Sequence, residues 1–149
     1  MADGSSLALV PNTEMTLKDL GPGGENSRTT LDLLRGIMNA IVEPLAPSGH
    51  FEIISDNAVV AVKGTDFEVQ AGSQDTMVTV NEGTVELGGP SRQRFEPVGP
   101  LHRRRLLMNR LQGEETLAKR EVMTFRERWA RAHLFHAQRH ELLKYFKEQ

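Results

Sequence analysis

Three histidines near the C-terminus are the best candidates for metal chemistry in this sequence. His136 and His140 are four residues apart, so on a helix they share a face and could clamp zinc or copper through two imidazoles. No glutamate forms an HExxH motif with them, and His133 adds no third ligand of clear geometry. Because a helical pair without further ligands is incomplete, packing or capping is the leading interpretation, and we expect no cofactor.

Other chemistry receives little support from the sequence. There is no cysteine, which excludes disulfides, thiolate zinc sites and cysteine nucleophiles. The chain also has no GxSxG motif, Walker loop or paired-carboxylate site. We therefore expect a protein that is not an enzyme.

The charges divide the chain into an acidic and a basic part. Residues 1–100 hold 6 Lys and Arg against 14 Asp and Glu, a net charge of −8, whereas residues 101–149 hold 12 against 6, a net charge of +6. The basic part, which begins with Arg103, Arg104 and Arg105, invites a nucleic-acid or acidic-lipid interpretation. Glutamates interrupt it at helical spacing, and no aromatic stacking platform accompanies it. A solvated helix face, or docking on the chain's own acidic part, is favoured.

Short runs rich in Val, Ile, Thr and Phe, bounded by Gly, Pro, Asn and Asp, predict strands throughout the acidic part. A glycine precedes several of these runs and interrupts LLRGIMNAIV at Gly36, where it permits a corner or bulge. The pattern predicts a rolled or sandwich-like antiparallel β domain. The predicted strands lie near 5–10, 14–18, 29–34, 37–43, 51–55, 58–63, 66–71, 76–81 and 84–88.

The segment NAVVAVKGTDFEVQ contains a buried strand followed by a half-exposed one. Residues 58–62 are apolar on both faces and predict a central strand. Residues 66–71 alternate between polar and apolar side chains and predict a strand with one face in contact with water. Lys63, Gly64, Thr65 and Asp66 between them could contact a ligand. Turn chemistry explains Thr65 and Asp66 more simply, and Lys63 could pair with a surface carboxylate.

A helical attachment is predicted beyond residue 100. Residues 89–100 are rich in glycine and proline and predict a linker, 101–112 predict a short helix, and Glu114 to about Phe146 predict a long one. Phe125 and Trp129 lie on its apolar stripe. They serve either to pack the helix on the β domain or to anchor a partner helix, and the sequence leaves both open.

Residues 3–88 resemble the FecR domain family, the β-rich domain of ferric-citrate-type sensor proteins that regulate sigma factors. The resemblance rests on DGSSLALVPNTEMTL, LDLLRGIMNAIVEPL, FEIISDNAVVAVKGTDFEV and MVTVNEGTVEL, in that order. It implies an all-β binding or sensory module of the bacterial cell envelope, without catalysis, acting through protein–protein contacts or self-association. Family members usually have further strands upstream of the block that begins with DGSSLALV, and we expect either a truncated reading frame or a fold that forms without them.

The resemblance divides the chain into a FecR-like β domain at 1–88, the linker at 89–100 and a basic helical tail at 101–149. It implies a periplasmic or cell-surface location, although we find no export signal or membrane span in the sequence, which favours the cytoplasm if Met1 is the true start. Two alternatives stay open. The chain is a signalling regulator fragment linked to a transmembrane sigma-factor control system, or its basic tail binds nucleic acid.

Overall fold

The computed structural model describes residues 6–20, 28–42, 49–108 and 110–129, which form twelve strands and one helix. The helix, α1, occupies residues 119–129 of this part. No helix in the described ranges is long and apolar enough to cross a membrane. The strands are β1 (Ser6–Leu9), β2 (Glu14–Leu20), β3 (Arg28–Val42), β4 (His50–Ile54), β5 (Val59–Val62), β6 (Thr65–Ala71), β7 (Asp75–Glu82), β8 (Val85–Gly88), β9 (Phe95–Val98), β10 (His102–Leu107), β11 (Arg110–Leu111) and β12 (Glu115–Thr116).

One continuous sheet runs in the order β11-β10-β7-β6-β3-β4-β5-β8-β9. We call the part on the β6 side of β3 sheet A and the part on the β4 side sheet B; β3 belongs to both. All described pairs are antiparallel except β3–β4, which is parallel. Because β9 at one end also contacts β7 and β10 near the other, the sheet is nearly closed into a barrel.

The 15-residue strand β3 bends at Gly36, where it passes from sheet B to sheet A. Gly36 has φ +110°, a conformation that side chains rarely adopt. Opposite the bend, the Thr13 hydroxyl donates to the Ile37 carbonyl at 3.3 Å and accepts from the Ile37 amide at 3.2 Å. The Thr13 side chain thus adds to the backbone bond from the Val10 amide to the Ile37 carbonyl where β1 and β2 meet.

The core fills the space inside the curved sheet. Alternate residues of β6 and β7, such as Phe67, Val69, Val78 and Val80, point inward, as the period-two pattern requires. Val59, Val60 and Val62 of β5 are buried, and β5 lies between β4 and β8. This confirms the prediction of a central apolar strand at 58–62.

Several sequence predictions need correction. The strands predicted at 29–34 and 37–43 are one strand, β3, and the supposed linker at 89–100 contains β9. The predicted short helix at 101–112 is wrong: its residues form β10 and β11. Strand β10 completes the free edge of β7 through six residue pairs, and these non-local hydrogen bonds outweigh local helix propensity.

The long helix predicted from Glu114 begins at residue 119, because Glu115 and Thr116 pair with β10 as β12. A side-chain oxygen of Glu121 accepts from the Ala118 amide at 3.3 Å and satisfies a free N–H of the first turn. The predicted extension towards Phe146 lies outside the described residues.

Replacing Gly36 with alanine should destabilise the domain. The new Cβ would lie 2.3 Å from Thr13 Oγ1 and 2.7 Å from the Thr13 Cα, at an unfavourable φ. We expect a loss of about 2 kcal/mol or more, from strain and overpacking together, and a melting temperature lower by roughly 4–8 °C. Gly113→Ala is the matched control, because nothing lies within 4 Å of its ideal Cβ. Equal melting temperatures for the two variants would contradict this account of the bend.

The ion pair between Glu52 and Arg92 should make a small, pH-dependent contribution to stability. Both guanidinium Nη atoms donate to the carboxylate at 2.9 Å, and these hydrogen bonds hold the pKa of Glu52 below its ordinary value of 4.5. The stabilisation is therefore present above pH 4.5 and is lost as pH falls through the lowered folded pKa.

Arg92→Ala should cost only about 0.5–1 kcal/mol at neutral pH, because solvent screens this partly exposed pair. Urea unfolding of wild type and variant from pH 7 to pH 3 measures the difference between them. That difference should shrink at the acidic end; a constant or growing difference would mean that Arg92 acts through packing instead.

Candidate functional site

The outer face of sheet A, which points away from the core, carries an unusual set of buried polar side chains. Asn39 on β3, Glu68 on β6 and Asn81 on β7 alternate with core residues and would normally meet water. All three are nevertheless buried. Something must cover this face, and α1 does so.

Asp66 joins three strands on this face. Its Oδ1 accepts from Asn39 Nδ2 at 2.9 Å and its Oδ2 accepts from Asn81 Nδ2 at 3.0 Å. Asn39 Nδ2 also donates to the Phe67 carbonyl at 2.6 Å. These bonds link β3, β6 and β7 and satisfy groups that would be costly to bury unpaired.

Glu68 fixes the C-terminal part of the described helix. Its side chain is 8% exposed, and its Oε1 accepts from Trp129 Nε1 at 2.9 Å and from Arg128 Nη1 at 3.0 Å. One turn earlier, Arg126 Nε donates to Asn81 Oδ1 at 3.1 Å. Hydrogen bonds to a carboxylate acceptor are among the stronger ones in proteins, so Glu68 is a specific anchor for α1.

Phe125 and Trp129 pack intramolecularly. Both are nearly fully buried, and together with Ala8 they form a small cluster separate from the main core, against which Val10 and Ile37 also pack. Of the two interpretations left open by the sequence, the described structure places both aromatics on the β domain. They reach across sheet A to the strand β1.

The start of α1 is held by charge. Arg103 Nε donates to Glu115 at 2.9 Å, and its Nη1 pairs with Glu121. The Glu115 hydrogen bond is the main cause of a raised pKa for Arg103. A cavity of about 300 Å³ lies between this end of α1 and sheet A, with Arg103, Glu121 and Phe125 among its lining residues.

The run Arg103 to Arg105 does not present a free cationic surface. Arg104 Nη2 lies 3.8 Å from a carboxylate oxygen of Glu114, and Arg105 Nε lies 3.4 Å from one of Asp75. With Arg103 paired as above, every arginine of the run faces a carboxylate. This local neutralisation weakens the case for phosphate binding.

Lys63, Gly64, Thr65 and Asp66 do not converge on one pocket. Lys63 Nζ donates to the Gly49 carbonyl at 2.5 Å and borders a cavity of about 260 Å³ between β4, β5 and β8. Thr65 Oγ1 donates to the Thr84 carbonyl at 3.1 Å, and Asp66 accepts from Asn39 and Asn81 on the outer face of sheet A. Gly64 lies in the bend between β5 and β6.

The histidine pair His136 and His140, like His133, lies outside the described residues. Within the ranges that the structure describes, no group of three or more His, Asp or Glu side chains is arranged to hold a metal ion. The metal hypothesis therefore stays a prediction.

Strands β1 and β2 lie end to end along β3 and form one long edge. β1 pairs with Met38–Ile41 and β2 pairs with residues 29–35, and no other strand in the described ranges pairs with either. Leu9 and Leu17 on this edge are 43% and 50% exposed. An open edge with apolar side chains is a template for another strand.

Sequence reasoning missed the anchor role of Glu68. Glu68 sits in the alternating run 66–71, which marks it as a residue of a wet face, and nothing near it in sequence indicates cover by a helix that begins some fifty residues later. The apolar stripe that contains Phe125 and Trp129 was the one signal that pointed to such a contact.

Comparisons with known proteins agree with this architecture. Two crystal structures of proteins from Parabacteroides distasonis ATCC 8503, each named a "putative anti-sigma factor", have similar folds, with TM-scores of 0.62 and 0.56 and sequence identities of 17% and 16%. The alignments cover 83% and 80% of this chain but only 56% and 63% of those proteins. No curated protein matches the sequence.

The sequence itself also matches a family model. Residues 1–86 match the model described as FecR protein, and they include the open edge, the bend at Gly36 and the strands β3 to β7. Because the match covers more than half of the 149 residues, the chain belongs to the FecR protein family.

Proposed function

We propose that this chain is a non-catalytic protein-binding module of a bacterial envelope signalling system, and that it binds its partner by strand addition along β1 and β2. The observation that carries the proposal is the long open edge with its two exposed leucines. Family membership and the named neighbours support a role in signal regulation.

The edge offers the groups that strand addition needs. The Val10 amide donates to the Ile37 carbonyl at 3.1 Å, so in the antiparallel ladder the alternate residue Ala8 also faces β3. The N–H and C=O groups of Leu7 and Leu9 therefore point away from β3. Main-chain hydrogen bonds at such an edge provide affinity, and neighbouring side chains provide specificity.

The helix is the weaker candidate for the partner surface. Phe125 and Trp129, its two aromatic anchors, are already buried against sheet A. Met123 is 61% exposed, but it is the single large apolar side chain of α1 that is strongly exposed in the described part. An isolated exposed residue of this kind needs no partner.

The absence of catalysis and the envelope location belong to the same proposal. The carboxylates of Asp66 and Glu68 accept hydrogen bonds from side chains that hold the fold and α1 together, which supports a structural role for both. The envelope location is supported by family membership. A link to sigma-factor control is supported by the names of the two similar structures.

Charge on the edge should abolish binding. In Leu9→Lys/Leu17→Lys the two half-exposed leucines are replaced by lysines, which place charge on the edge and oppose edge-to-edge pairing. The experiment compares envelope proteins of the source organism retained by wild type and by the variant, using quantitative mass spectrometry. We expect proteins retained by wild type to be lost from the double variant.

Met123→Lys is the matched control, because it makes the same kind of change at an exposed residue of α1. It should retain the wild-type set of proteins. Loss with Met123→Lys and retention with the edge variant would move the binding surface to α1; identical sets for all three chains would remove the support for strand addition.

A further inference from the structure

Strand β1 has few attachments of its own. It is four residues long, it pairs only with β3 among the described strands, and Ala8 is its one buried side chain. A four-residue strand at a sheet edge makes few ladder hydrogen bonds, and segments of this kind open locally more easily than central strands. Leu7 is partly buried against the main core, so the residues that cover Ala8 supply the other apolar contact that holds β1.

Helix α1 provides that cover. Ala8 belongs to the cluster formed by Phe125 and Trp129, with Val10 and Ile37 against it, and not to the main core between the sheets. Buried aromatic side chains contribute large contact areas. Part of the attachment of β1 thus comes from a helix more than a hundred residues later in the chain.

The helix is in turn anchored on the opposite side of β3. Glu68 of β6 accepts from Trp129 and Arg128, and Asn81 of β7 accepts from Arg126. The ring of Trp129 contacts the β1 side while its N–H reaches β6. One residue therefore connects the helix anchor to the cover of β1.

We propose that α1 is a latch that holds β1 on β3, and that release of α1 frees β1 and alters the edge presented to a partner. The first clause stands on the contacts of Ala8, Trp129 and Glu68 alone. The second clause rests on the proposed function. Docking of α1 and ordering of β1 are then coupled, and the coupling is reciprocal.

Hydrogen exchange of the full chain tests the first direction. In Trp129→Ala, the amides of Ala8 and Val10, which face β3, should exchange on the order of tenfold faster than in wild type, because β1 opens locally. Amides of β5, in the middle of sheet B, should not change. Met123→Ala, an exposed change on the same helix, should leave both regions as in wild type.

Two results would overturn the latch. If Ala8 and Val10 keep their wild-type exchange in Trp129→Ala, β1 does not need α1. If these two amides and β5 accelerate together, α1 stabilises the whole domain and is not a local latch. Trp129→Phe, which keeps the aromatic cover but loses the hydrogen bond to Glu68, should give a smaller acceleration of the same region.

The fluorescence of Trp129, the single tryptophan, tests the reverse direction. Ala8→Arg places a long charged side chain under the helix and should shift the emission to longer wavelength as the indole meets water. Leu9→Arg, on the exposed opposite side of the same strand, should leave the emission unchanged. An unshifted spectrum in Ala8→Arg would contradict the coupling.

These measurements need no partner, so the latch and the proposed function can fail separately. If exchange and fluorescence change as expected but Leu9→Lys/Leu17→Lys retains all the proteins that wild type retains, the latch is supported and strand addition is refuted. If the double variant loses its partners but exchange and fluorescence stay as in wild type, strand addition is supported and the latch is refuted.

Discussion

Strand β3 pairs with β4 in its first part and with β6 in its second, and the positive φ of Gly36 allows the strand to pass from one sheet to the other. A side chain there would meet Thr13, whose hydroxyl hydrogen-bonds to both the amide and the carbonyl of Ile37. The bend decides that β1 and β2 lie along a single edge while β6 and β4 occupy the other. The open edge and the face covered by α1 both follow from this one backbone conformation.

At the contact between Glu68 and α1, the cost of burying a charge opposes the gain from pairing it. A buried carboxylate is costly to desolvate, and the gain from pairing it often does no more than offset that cost. Here two donors from one helix turn, Arg128 and the Trp129 indole, meet the same oxygen. The arrangement specifies where the helix lies, while Phe125 and Trp129 supply the apolar contact that stabilises it.

The sequence predicted much of the β architecture and little of the site. Alternation and glycine punctuation identified the strands before residue 90, because each pattern depends on nearby residues alone. The strand β10 was missed because LHRRRLL has no strict alternation of apolar and polar residues. It forms a strand because it pairs with the edge of β7, about 25 residues earlier. The burial of Glu68 was missed for a similar reason, since the helix that covers it is distant in sequence. Phe125 and Trp129 were identified as anchors, but the surface that receives them was not.

The position of β3 also bears on how quickly the chain reaches its native state. Strand β3 pairs with β1, β2, β4 and β6. None of these strands is connected to β3 by a two-residue turn. Proteins dominated by contacts between distant residues fold slowly, often in milliseconds to seconds, because loops must close before any contact forms. Until β3 has paired with its neighbours, its apolar side chains and both of its edges are exposed to solvent. Nascent chains are prone to aggregate during that interval.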